Sequence, residues 1–157
     1  MPRITDNTLL VKCEQPVLYI RHQTNMMEFP QLIGKYFQEI GAYIEDIGGE
    51  MTDTPYIAFL DFRTMTDQNM HVEIGIPVSS EIPGKGNIKS KILPKTKIVF
   101  AYFRGDYSEM IPFYDDILKW VKERGMEIIG DTYEYYLNGL GYPMDEMLTR
   151  VELPIVP

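Results

Sequence analysis

One short stretch of this 157-residue sequence concentrates groups able to do chemistry: Asp131-Thr132-Tyr133-Glu134-Tyr135-Tyr136 sets a carboxylate among three phenols. The segment predicts a strand, in which alternate residues share a face, so Glu134 and Tyr136 point one way and Tyr133 and Tyr135 the other. A buried carboxylate needs a partner or a raised pKa. A cationic ligand held between aromatic faces would be such a partner, through Coulomb attraction and cation–π contact. On a solvated face the same Glu134 would be an ordinary surface charge, or an acceptor for a neighbouring tyrosine hydroxyl. The ligand-binding candidates are therefore Glu134 and Tyr136, with Tyr102, Phe59, Trp120 and Tyr19 as further rings on predicted elements. Trp120 lies on an apolar helical stripe, where packing is its first job, although it could edge a groove.

Other constellations are sparse. His22 and His71 are far apart and lack the paired spacing of a zinc site, so no metal is expected. Cys13 is the single cysteine and reads as a small apolar residue rather than a nucleophile. Gly84-Lys85-Gly86 lacks the flanking strand and helix of a phosphate loop, and no cofactor is expected. Glu73 and Glu152 lie on predicted strands and read as outward-facing solvated charges, with the second acid of a site as the alternative.

The elements that would carry these residues occur twice. Val17 to Ile20 predicts a strand, and a helix follows with Pro30 in its first turn and Leu32, Tyr36, Ile40 and Tyr43 or Ile44 at helical spacing. Gly48 and Gly49 end it. Tyr56 to Leu60 and the alternating Val72, Ile74, Ile76 and Val78 predict two more strands. The order returns with Ile98 to Phe103, a helix bearing Phe113, Ile117, Trp120 and Val121 and closed by Gly125, then Tyr133 to Leu137 and Thr149 to Ile155. A shift of 77 residues aligns Ile40 with Ile117, Gly48 with Gly125, Tyr56 with Tyr133 and Pro77 with Pro154, which marks an internal duplication. The same shift sets Glu134 on Ile57 and Tyr136 on Phe59.

These readings predict a single α+β domain over residues 1–157, with repeat 1 at about 17–78, a solvated linker at 79–97 and repeat 2 at about 98–157. Two strand-helix-strand-strand units merge into one mainly antiparallel sheet, with the helices on one face and a ligand groove on the other. The formal charge of −8 opposes nucleic acid and anionic lipid as partners. With no signal sequence and no run of about 20 apolar residues, the expected setting is cytoplasmic and away from membranes. A small lipophilic or cationic molecule is the expected partner, and a protein partner stays open.

In this order the residues resemble the GyrI-like small-molecule-binding domains, the effector-binding domains of AraC-type and multidrug-responsive regulators. The resemblance covers about Val17 to Pro157 and rests on the doubled unit, on Tyr133-Glu134-Tyr135-Tyr136, and on the closing Thr149-Arg150-Val151-Glu152-Leu153-Pro154. The family pattern there is Thr-Glu-apolar-x-apolar-Pro, so Arg150 stands in place of a glutamate. The resemblance implies a pocket between the two copies, with Glu134 attracting lipophilic cations. It also implies a stand-alone member without the helix-turn-helix that some relatives carry. The alternatives it brings are a hydrolase of strained, cyclopropane-containing toxins, using Glu134 and Tyr136 in acid-base roles, and a protein-interaction module like the gyrase-inhibiting namesake.

Overall fold

The computed structural model describes residues 4–138 and 142–157. Among these, eight strands and two α-helices follow one another: β1 (Thr8–Lys12), β2 (Gln15–Thr24), α1 (Phe29–Asp46), β3 (Tyr56–Phe59), β4 (Met70–Pro77), β5 (Lys89–Leu93), β6 (Thr96–Arg104), α2 (Met110–Glu123), β7 (Thr132–Tyr136) and β8 (Leu148–Pro154). The strands form one curled sheet in the order β1-β6-β8-β7-β3-β4-β2-β5, antiparallel at every pairing. The α+β architecture expected from the sequence is the one observed. Exchanging the halves maps this order onto itself, so a pseudo-twofold axis runs between β3 and β7, where Ile57 lies opposite Glu134.

Segment 79–97, expected to be a linker, carries β5, which pairs with β2. A shift of 81 residues takes β1 onto β5, and β1 pairs with β6. The leading strand of each half therefore crosses to the outer edge of the other half. Both edge strands are short and mostly exposed, and β5 reads Lys-Ser-Lys-Ile-Leu. Lysines blunt an edge against further pairing, and the same composition makes such a strand look like solvated loop in sequence.

Side-chain alternation divides the sheet into two faces. On one, Ile57, Phe59, Val72, Ile74 and Ile76 pack against Tyr36, Ile40 and Ile44 of α1. Beside them Val99, Ala101, Phe103, Val151 and Leu153 pack against Phe113, Ile117 and Val121 of α2. Each large apolar side chain so buried contributes about 1.5–3 kcal/mol, and these two clusters hold the helices on one layer. Asn25 Oδ1 accepts from the Met27 and Glu28 N–H groups at the start of α1. Beyond the C-termini Gly48 and Gly125, matched by the repeat, both adopt positive φ, 70° and 69°, the left-handed conformation that closes a helix cheaply only for glycine. No helix among the described residues is long and apolar enough to cross a membrane.

Candidate functional site

The opposite, hollow face is built from the other half of each alternation. Val17, Tyr56, Ala58 and Tyr135 form its buried floor, with Tyr19, Leu93 and Tyr133 packed against them. Tyr56 lies 5.6 Å from Tyr133 and 5.4 Å from Tyr135 between ring centroids, within the range of favourable aromatic pairs. Gly75 makes this floor possible. A Cβ there would lie 2.5 Å from the Tyr56 ring and hydroxyl, so only glycine lets that ring lie across β4.

Two buried carboxylates flank the floor. Glu73, fully buried, accepts the Tyr56 hydroxyl at 2.7 Å on one oxygen. Its other oxygen takes Arg21 Nε at 3.0 Å and Lys91 Nζ at 2.5 Å. Glu152 takes Lys12 Nζ at 2.9 Å on one oxygen and Arg150 Nε at 2.8 Å on the other. Arg150 also reaches Asp53 at 2.7 Å. The cations rest on the rings as well: Lys91 sits 4.3 Å from the Tyr19 centroid, Arg150 4.2 Å and Lys12 4.8 Å from that of Tyr135. Burial and the nearby carboxylates raise the Tyr56, Tyr133 and Tyr135 hydroxyls above the ordinary phenol value, so they stay neutral donors. Burial pulls Arg150 down, but Asp53 and Glu152 outweigh it and hold the guanidinium charged.

A cavity of about 60 Å³ opens on this face, lined by Lys12, Cys13, Leu93, Tyr133, Tyr135 and Glu152 among others. A larger depression of about 340 Å³ lies elsewhere, between α2 and residues 126–128. Its charged members Arg63, Lys122 and Glu127 are not buried, whereas the hollow face gathers buried acids and rings at the junction of the halves, where ligand sites tend to form. Among the described residues no group of three His, Cys, Asp or Glu is placed to hold a metal ion.

The model of the GyrI-like small molecule binding domain family matches residues 9–156. The chain belongs to the GyrI-like family. No curated protein matches the chain in sequence. Among solved structures, this GyrI-like domain is similar to the C-terminal domain of EcmrR at a TM-score of 0.83 and 21% identity, over 96% of this chain and 97% of that one. In the EcmrR–DNA complex the match covers 96% of this chain but 57% of EcmrR, at a TM-score of 0.81 and 21% identity. The chain thus spans little more than half the length of that relative. A hydrolase from Listeria innocua matches at a TM-score of 0.74 and 12% identity over 99% of this chain and 93% of its own. SAV2435, solved bound to tetraphenylphosphonium, matches at 0.58 and 11% over 97% and 94%.

Of the six candidates named from the sequence, only Tyr19 and Tyr102 sit on the hollow face of the GyrI-like sheet. Phe59 packs in the α1 cluster, edge-on to Phe29 at 5.7 Å. Trp120 packs in the α2 cluster, with Arg124 stacked 3.8 Å from its centroid. Glu134 and Tyr136 also point to the helices. Glu134 accepts the Tyr114 hydroxyl of α2 at 2.5 Å and the Tyr136 hydroxyl at 2.9 Å, and burial raises its pKa while those two bonds pull it back. It is the hydroxyl-satisfying carboxylate of the second reading, not the groove acid. The groove acids are Glu73 and Glu152, which sequence reasoning took for solvated charges. One signal could have placed them: Glu73 interrupts the stripe Val72, Ile74, Ile76, so it must face away from the helices, beside Tyr56.

Proposed function

We propose that this domain captures a small aromatic or lipophilic molecule on its hollow face, against the floor of Tyr19, Tyr56, Tyr133 and Tyr135. The observation that carries the proposal is that floor, flanked by two buried, hydrogen-bonded carboxylates where the halves meet. A body of two fused rings stacks on Tyr133 at the open rim, because the 60 Å³ cavity is well below the ~300–1,000 Å³ of a closed ligand pocket.

A lipophilic cation is the finer reading expected from sequence, and the tetraphenylphosphonium bound to SAV2435 favours it. On this chain it would need Glu73 or Glu152 to exchange an internal cation for the ligand's. Hydrolysis through Glu134 and Tyr136 finds no support in the geometry, since both Glu134 oxygens hold phenols on the helix side of the sheet. The proposal keeps the cytoplasmic setting, where an exposed Cys13 stays a free thiol.

NMR titration with 2-naphthalenemethanol and with tetraphenylphosphonium tests the reading. Saturable shifts are expected at Tyr19, Tyr133 and Lys91. Shifts confined to Lys122, Met126 and Ile128, or no saturable shift with either compound, would refute the hollow face as the site.

A further inference from the structure

The hollow face holds the means of binding a cation, but the chain's own side chains already use them. Each described carboxylate oxygen there has a donor. The two oxygens of Glu73 take Tyr56, Arg21 and Lys91, and those of Glu152 take Lys12 and Arg150. Asp53 spends one oxygen on Arg150 and the other on the Thr54 N–H. The faces of Tyr19 and Tyr135, where a cation would stack, carry Lys91, Lys12 and Arg150.

Donors are in surplus instead. A lysine ammonium has three N–H groups and a guanidinium five. Among the described residues Lys91 places one bond, on Glu73, and Arg150 places two, on Glu152 and Asp53. Lys12 uses two, on Glu152 and, at 3.4 Å, on the Tyr135 hydroxyl. Its side chain keeps 26% exposure at the mouth of the small cavity. The repeat tells the same story, since the 77-residue shift that relates the halves sets Arg150 opposite Glu73. One half has inverted the charge at that position.

Resting on the hollow face as the binding site, we propose that its ligand is an aromatic anion, an arene carboxylate or sulfonate. The acidic head enters the small cavity and takes the free N–H of Lys12, while the rings lie on the partly exposed Tyr133 beside it. The cavity's size suits this division, because about 60 Å³ is far below the ~300–1,000 Å³ that encloses a whole drug-sized ligand, which leaves the rings outside it. Charge-assisted hydrogen bonds of this type are roughly twice as strong as neutral ones, so the head group decides the preference among ligands of one shape.

Three probes with one ring system isolate the sign of charge: 2-naphthoate, 2-naphthalenemethanol and 2-naphthylmethylammonium, titrated against the full chain by calorimetry and NMR. Naphthoate should bind at least about tenfold more tightly than the other two, a difference of about 1.4 kcal/mol. Lys12→Met should remove that advantage and Lys12→Arg should retain it. Both variants should fold, since Lys12 lies on an exposed edge strand and Glu152 keeps Arg150. Thermal unfolding checks that they do. If the alcohol or the amine binds as well as naphthoate, with shifts at Tyr19 and Tyr133, the anion inference fails while the hollow-face site stands. If Lys12→Met leaves naphthoate binding unchanged, the inference fails as well. If none of the three shifts the hollow-face residues, the site itself is wrong and the inference falls with it.

Discussion

Replacing Glu73 by glutamine keeps its shape and removes one acceptor and the charge, and the surrounding donors fix the consequence. The Tyr56 hydroxyl, with Tyr56 fully buried, has Glu73 as its partner at 2.7 Å. Glutamine offers one acceptor oxygen and two N–H groups, so either that hydroxyl or the Arg21 and Lys91 pair meets a donor instead of an acceptor. Leaving a buried hydroxyl donor unpaired costs about 1–3 kcal/mol. The cations lose less, because the Arg21 and Lys91 side chains keep 57% and 25% exposure and partly rehydrate, about 0–1 kcal/mol each. Glu73→Gln should therefore lower stability by about 2–4 kcal/mol, measured by guanidinium denaturation with an unchanged m-value. At about 2–4 °C per kcal/mol for a chain of this size, Tm should fall by roughly 5–15 °C. A loss below about 0.5 kcal/mol would refute the claim that Glu73 is the acceptor on which the hollow face is organised.

The same substitution at Glu134 should show itself in the pH dependence of stability, because no described cation pairs with this carboxylate. Burial raises its folded pKa above the ordinary 4.5, so its contribution is fully present below that value and is lost as pH rises through the raised one. Glu134→Gln lacks this loss, and thermal melts across a pH series should show the variant gaining on wild type as pH rises; a difference flat in pH would refute it. Gly75→Ala should push Tyr56 off Glu73, because the added methyl meets its ring at 2.5 Å. Overpacking of this type costs about 1–3 kcal/mol, and the tyrosine near-ultraviolet circular dichroism should change with it; an unaltered spectrum would count against the close packing. Thr149 is fully buried and its Oγ1 has no hydrogen-bond partner among the described residues. Thr149→Val removes that unpaired group at nearly constant shape and should stabilise by about 1 kcal/mol, read as a rise in denaturation midpoint.

The elements were legible in the sequence wherever the sheet is two-sided. Val72, Ile74 and Ile76 alternate because β4 has α1 on one side, and the helices show their stripes because each buries one. The face of β7 was not legible from its own residues, since Thr-Tyr-Glu-Tyr-Tyr puts a phenol on both sides. The repeat held the answer. Glu134 matches Ile57, which belongs to the helix-facing stripe, and the ring that recurs on the other face is Tyr56 with Tyr133. The burial of Glu73 and Glu152 could not be read locally, because their partners Arg21, Lys91 and Lys12 come from strands distant in sequence. Two of these three stand on the edge strands, and the lysine-rich composition of β5 disguised the one that carries Lys91.

The crossed edge strands explain why the ion pairs lie where they do. Lys12 arrives on β1 from the first half and binds Glu152 of the second; Lys91 arrives on β5 from the second half and binds Glu73 of the first. Arg150 of the second half reaches Asp53 of the first. Each of these bonds therefore joins the halves, and each lies on the hollow face rather than in the apolar layer beneath the helices. A duplication with identical residues would have set like charges in matching places on either side of the axis, since the position of Glu73 repeats at residue 150. With arginine there, the second half answers a carboxylate with a guanidinium, and the face becomes a set of closed pairs with spare N–H groups. The chain's surplus of acidic residues does not extend to this face, where Lys12, Arg21, Lys91 and Arg150 meet Glu73, Glu152 and Asp53.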